Sequence, residues 1–139
     1  MRQTLIFWPV MALIAWTFVV VAVVAYRRLR AASCGAVTIA DFTCGESDKV
    51  PEGVRIANRA FMNLVEMPVL FYVLCLTAFV TGNVTGALVA LAWLYVGLRV
   101  VHSVVYLTYN RVLHRFLAYF ASNAVVGIMW GLLALALAA

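Results

Sequence analysis

Four apolar runs, each long enough to cross a bilayer, constrain this chain more than any other feature. They extend from about Leu5 to Tyr26, Val54 to Val80, Val84 to Leu107 and Arg115 to Leu137. A spanning helix needs about 20 mainly apolar residues. Inside hydrocarbon every backbone polar group must bond within its own segment, so such runs fold as helices. Composition closes the soluble alternative. Hydrophobic residues make up 67% of the 139-residue chain and charged residues 11%, against about 45–50% and 25% in soluble domains. A soluble fold of this size has too little interior to hide so much apolar surface. The expected fold class is therefore all-α: an integral membrane four-helix bundle, with residues 1–139 forming one domain and the lipid bilayer as its solvent.

The formal net charge is +5, but its placement matters more than its sum. There is no soluble basic domain to grip nucleic acid, so that class of partner is excluded. Arg27, Arg28, Arg30, Lys49, Arg55 and Arg59 flank or occupy the connection between spans one and two. Arg111 and Arg115 flank the connection between spans three and four, whereas "TGNVTG" (81–86) and the C-terminus carry no basic residue. The positive-inside rule then places the 31–53 and 108–114 loops in the cytoplasm and both termini outside. With such short loops, a bacterial inner membrane is the expected location. "RRLR" (27–30) directly follows the first run, as in a stop-transfer helix rather than a cleaved signal. Cys75 lies in an apolar run and is read as a packing residue. Cys34 and Cys44 share a loop that holds no histidine, so no metal site is expected, and a disulfide between them would require an oxidising compartment.

Against this apolar background, the polar residues within the spans stand out. Span two carries Arg59, Asn63 and Glu66, four and three residues apart, with Arg55 one turn earlier. Those intervals place them on one helix face. Glu66 lies roughly 16 Å along the axis from Arg55, near mid-membrane. Pro68 removes a backbone donor and frees the carbonyl of Leu64, which predicts a kink there. Span three carries Arg99, His102 and Tyr106, again on one face. Span four opens with Arg115, Tyr119, Ser122 and Asn123. Ionisable residues inside a membrane are rare and mark functional sites by default. Each also has a plainer reading. Arg55, Arg59 and Arg115 lie near enough to helix ends to snorkel. Arg99 and Glu66 could form a structural ion pair. Asn63, Ser122 and Asn123 are suited to bonding neighbouring helices. The stripes are nevertheless all weighted toward the same leaflet, and their guanidinium groups outnumber the one carboxylate. Unpaired buried charge is expensive, so the arrangement points to a small anionic ligand held by planar, bidentate donors.

The residues "RAFMNLVEMP" in span two, "GLRVVHSVVY" in span three and "RVLHRFLAY" in span four together resemble the membrane-associated proteins in eicosanoid and glutathione metabolism, the MAPEG family. That family includes microsomal glutathione transferases, leukotriene C synthase and microsomal prostaglandin E synthase. The resemblance implies a homotrimer of four-helix protomers with glutathione as co-substrate between neighbours. It implies that Arg59, Asn63, Glu66, Arg99, His102 and Tyr106 bind glutathione and that Arg111 guards the entrance. Arg115 would stand beside the sulfur as the catalytic group, with Tyr119 nearby. Met62 replaces the basic residue that precedes the span-two asparagine in members nearest the prostaglandin synthase, and Phe116 replaces a serine. Both departures speak against a prostaglandin-type isomerase. The expectation is a glutathione-dependent transferase or peroxidase acting on hydrophobic electrophiles. The alternatives are a non-catalytic glutathione- or anion-binding protein of the same fold and, ranked below it, a small four-span transporter.

Overall fold

The computed structural model describes residues 2–43 and 45–138. It contains four helical segments long and apolar enough to cross a membrane. A 3-10 turn, Gln3–Ile6, leads into helix α1 (Phe7–Ser33). The second span is divided into α2 (Glu52–Glu66) and α3 (Pro68–Val80). Helix α4 (Gly86–Leu107) and helix α5 (Val112–Ala138) complete the bundle.

The division of the second span falls at Pro68, the position where the sequence predicts a kink. Met67 keeps helical angles, φ −69° and ψ −35°. The hydrogen-bond ladder is nevertheless locally interrupted, and the Leu70 N–H bonds the Met67 carbonyl at 3.2 Å. Proline lacks the donor that would have reached Leu64.

Two helix boundaries lie beyond the apolar runs. Helix α1 continues through "RRLR" to Ser33, because its basic turn has partners to hold it. The Arg27 guanidinium donates to the Gly53 carbonyl at 2.9 Å and to the Leu107 carbonyl at 3.0 Å. One side chain thus ties α1 to the start of α2 and to the last turn of α4, where the terminal carbonyls lack helical partners. Arg28 pairs with Glu46 at 3.3 Å and lies 5.0 Å from the Phe42 ring centroid. Gly35, at φ +68°, ends the helix: its N–H bonds Ala32 while the N–H of Ala36 bonds Ala31. That left-handed step suits glycine, which has no Cβ to clash. Helix α5 begins at Val112, which places Arg115 within its first turn rather than at its first residue.

The loop after α1 is strapped to the bundle. Ala31, Val37, Val50 and Val54 form a small apolar cluster against Phe42. Asp41 accepts bonds at 2.8 Å from the Thr38 N–H, the Thr38 hydroxyl and the Ser47 hydroxyl. These bonds, the Thr38 N–H foremost, hold its carboxyl below the ordinary carboxylate range. Cys44 lies outside the described residues.

At the other end of the bundle, the Val84 N–H donates to Gln3 Oε1 at 2.9 Å, joining the chain start to the α3–α4 link. Thr85 caps α4 by accepting the Leu88 N–H at 3.2 Å. Helix α4 packs against α1, α2 and α5, so it carries the most protected side chains. Leu13, Leu64, Phe71, Cys75, Tyr95 and Met129 pack in the main core. Cys75 has the buried packing position expected of it. Phe71 stacks on Tyr95 with ring centroids 4.5 Å apart.

Candidate functional site

Arg115 is the residue around which the polar stripes meet. It projects from the first turn of α5 and lies between two cavities. The inner cavity, of about 240 Å³, is lined by Asn63, His102, Tyr106, Arg115 and Tyr119, with Val112 and Phe116 supplying apolar wall. The outer cavity, of about 170 Å³, is lined by Glu52, Arg55, Arg59, Tyr106, Asn110 and Arg115. Tyr106 and Arg115 belong to both. Both spaces therefore border the Tyr106–Arg115 pair.

The geometry of Arg115 is well defined. Its Cζ lies 4.0 Å from the centroid of the Tyr106 ring, a cation–π arrangement. Its Nη1 donates to Asn110 Oδ1 at 2.6 Å. No carboxylate lies within ion-pairing distance of it among the described residues. Its charge is thus held in place by an aromatic face and a neutral amide, and is not cancelled. Helix α5 adds to this field, since its first N–H groups have no helical partners and favour negative charge.

The other walls come from α2 and α4. Asn63 is anchored by its own helix, donating from Nδ2 to the Arg59 carbonyl at 2.9 Å, which leaves its Oδ1 available. His102 is buried, and its ring lies 5.5 Å from Tyr106 and 5.8 Å from Tyr119, centroid to centroid. Its Nδ1 has no partner among the described residues. Arg55 approaches Asp48 at 3.8 Å, but that carboxylate is fully exposed, so the pair is weak. Arg59 is exposed and makes no ion pair among the described residues.

Arg99 occupies a different place. It shares a helix face with His102 and Tyr106, yet it lines neither cavity. It is 0% exposed. Its Nε donates to the Tyr95 hydroxyl at 3.0 Å, and its Cζ lies 5.4 Å from both the Tyr95 and Tyr119 ring centroids. Nη1 and Nη2 are buried without a partner among the described residues. Tyr119 stands in contact with this guanidinium and also forms a wall of the inner cavity. Ser103 and Ser122, also buried, bond their own helices through Arg99 and Tyr119 carbonyls at 2.8 Å each.

The remaining candidates do not join the cluster within one chain. Glu66 is exposed, about one turn deeper than Asn63. It makes no ion pair with Arg99 or any other described cation. Arg111 is exposed and lines neither cavity. Of the nine residues singled out from the sequence, the inner cavity gathers Asn63, His102, Tyr106, Arg115 and Tyr119, and the outer adds Arg59. Asn110 and Glu52 line the outer cavity but escaped the sequence reading, because both fall outside the apolar spans. The available signal for Asn110 was an asparagine between two helices, where a left-handed turn favours it.

No curated protein and no solved structure matches the chain significantly. The family model of the MAPEG family matches residues 6–135, nearly the whole chain. A match of that extent covers all four spans and both cavities, and the chain belongs to the MAPEG family.

Proposed function

We propose that this protein is a membrane-bound glutathione-dependent transferase or peroxidase acting on lipophilic electrophiles. The observation that carries this reading is the Arg115 guanidinium, fixed over Tyr106, paired with no carboxylate among the described residues and bordering two cavities. MAPEG membership, a family that includes glutathione transferases, supports the choice of anion.

In this reading the carboxylates of glutathione engage Arg55 and Arg59 in the outer cavity, and the sulfur lies toward the inner one. Asn63 and Tyr106 orient the peptide. A free thiol has a pKa of about 8.5, so only a few per cent is thiolate at neutral pH. The Arg115 guanidinium favours the thiolate, which attacks a carbon electrophile and forms a C–S bond as the leaving group departs with its electron pair. For a hydroperoxide, the thiolate attacks the terminal oxygen and the O–O bond breaks. The alkoxide then takes a proton from Tyr119 or His102, and a second glutathione converts the resulting sulfenic acid to a disulfide and water. The hydrophobic partner reaches the site from lipid, past Phe116 and Val112.

The same reading supplies an assembly. Glu66 is exposed on an apolar face beside Met62, Val65 and Val69. A carboxylate left facing hydrocarbon is costly, and a homotrimer with this face between protomers would cover it. The basic end then faces the cytoplasm of a bacterial cell, with both termini across the inner membrane. A non-catalytic binder of glutathione is the second reading, favoured by Phe116, which brings an apolar ring to the cavity wall.

The test is direct. The detergent-purified protein is titrated with glutathione and assayed for conjugation to a reactive aryl halide and for reduction of a lipid hydroperoxide. An enzyme binds glutathione and turns over, and Arg115→Ala lowers kcat more than it weakens binding. A binder titrates without turnover. Absence of glutathione binding in a folded, wild-type preparation removes both readings.

A further inference from the structure

We infer that Asn110 is a positioning residue, whose amide oxygen sets the orientation and preserves the charge of the Arg115 guanidinium. The inference rests on the glutathione reading for its chemical purpose, and on the geometry of one turn for its substance. Asn110 stands in the short connection between α4 and α5. Its backbone is left-handed, at φ +47°, the one non-glycine residue of that kind among the described residues. Asparagine adopts this conformation more readily than most residues. The turn is fastened on both sides. The Asn110 N–H donates to the Val105 carbonyl at 2.8 Å, and Arg27 holds the Leu107 carbonyl at 3.0 Å. The left-handed step presents the side chain to the next helix, where Oδ1 accepts from Arg115 Nη1 at 2.6 Å.

Three features separate this contact from an ordinary loop bond. First, the acceptor is neutral. A carboxylate there would cancel the charge that the site needs, whereas an amide fixes the fork and leaves the cation intact. Second, the bond and the Tyr106 face act together, one gripping Nη1 and the other covering the guanidinium plane at 4.0 Å. The remaining donors are directed by two constraints rather than by side-chain freedom. Third, the surrounding charges would pull the group elsewhere. Glu52 from α2 lines the same outer cavity and attracts it, while Arg55 and Arg59 from α2 repel it. Within the inner cavity the titratable neighbours are His102 and Tyr106 from α4 and Tyr119 from α5. Arg111, at the end of the same connection, is exposed and lines neither cavity. Without Asn110 the guanidinium is free to swing toward Glu52.

Two substitutions isolate the effect. Asn110→Gly tolerates the positive φ and deletes only the acceptor. Asn110→Asp tolerates the turn and keeps an acceptor, but brings a negative charge. The first measurement needs no substrate: the rate at which Arg115 in the full-length protein in detergent is modified by phenylglyoxal, followed by mass spectrometry. N110G should raise that rate by about threefold or more, and N110D should not. The second is the pH profile of kcat/KM for aryl halide conjugation. At pH 7, N110G should lose about tenfold, mainly in kcat, since a displaced catalytic group commonly costs that much or more. Its ascending limb should move to higher pH as the cation leaves the thiolate, and N110D should move the limb the same way, because its carboxylate competes with the thiolate for the same cation. A merely structural residue would lower the folded fraction without moving the limb. Unchanged labelling of Arg115 in N110G overturns the inference outright. Faster labelling with unaltered kinetics overturns the positioning role. A wild-type protein that neither binds nor uses glutathione overturns the purpose assigned to the contact, and the labelling result then shows separately whether the contact itself exists.

Discussion

Replacing Arg115 by alanine should change the pH dependence of the reaction, not simply its size. The substitution removes the one cation shared by both cavities, together with its bond to Asn110 and its contact with Tyr106. An opposite charge within about 4–6 Å lowers the pKa of an acid by about 1–3 units. Taking 1.5 units as a middle value, a thiol of pKa about 8.5 would fall to about 7 in the wild-type complex. At pH 7 about half of the bound glutathione would then be thiolate, against about 3% in the variant, a loss of about 15-fold or ~1.6 kcal/mol. Above pH 9.5 both proteins hold almost all of the sulfur as thiolate, so the difference should shrink to less than about twofold. The sign follows from the charge: a cation lowers the thiol pKa, so its removal moves the ascending limb of kcat/KM to higher pH. The assay is conjugation to an aryl halide in detergent, with kcat/KM measured between pH 6 and pH 10. Arg115→Lys should retain most of the limb position and lose rate, since a compact ammonium keeps the charge but not the planar fork. A deficit in Arg115→Ala that stays the same from pH 6 to pH 10 would refute thiolate stabilisation and leave Arg115 as a binding group.

Other outcomes follow from the packing. Arg27→Ala removes two charged hydrogen bonds that tie α1 to Gly53 and Leu107. It should destabilise the bundle by about 1.5–3 kcal/mol, read as a lower midpoint of thermal unfolding in detergent. Phe71→Ala deletes a fully buried ring stacked on Tyr95 and should cost about 3–5 kcal/mol by the same measurement, whereas Val80→Ala, at an exposed helix end, should cost little. The Asp41 turn should loosen in acid. Its folded pKa is depressed, so its bonds contribute fully above the ordinary value near 3.8 and are lost as pH falls below it. Amide protection relative to the free chain at Thr38 and Ser47 should therefore fall below that pH, and Asp41→Asn should remove that fall.

The span pattern was legible because its cause is local. Hydrocarbon demands internal bonding of each segment, and a run of about 20 apolar residues records that demand in sequence. The Pro68 interruption was legible for the same reason, since the missing donor belongs to one residue. Helical spacing also revealed which polar residues share a face, and five of those from the sequence reading line the inner cavity. The ends of the helices were not legible. Hydropathy falls at Tyr26, yet α1 runs on to Ser33 because Arg27 and Arg28 find partners far along the chain.

What the amino-acid order determined by itself is the solvent of this protein, the number of its spans and the angular position of each polar side chain on its own helix. What only the tertiary structure decided is which of those side chains meet. Arg99 and Arg115 are both arginines near one end of the bundle. Packing of α4 buries the first between Tyr95 and Tyr119, while the α4–α5 turn delivers the second to a cleft with an amide to hold it. Glu66 shares a stripe with Asn63 but faces outward from the single chain. Periodicity fixes direction around one axis, whereas a site depends on distances between axes, and those are set by how the helices pack.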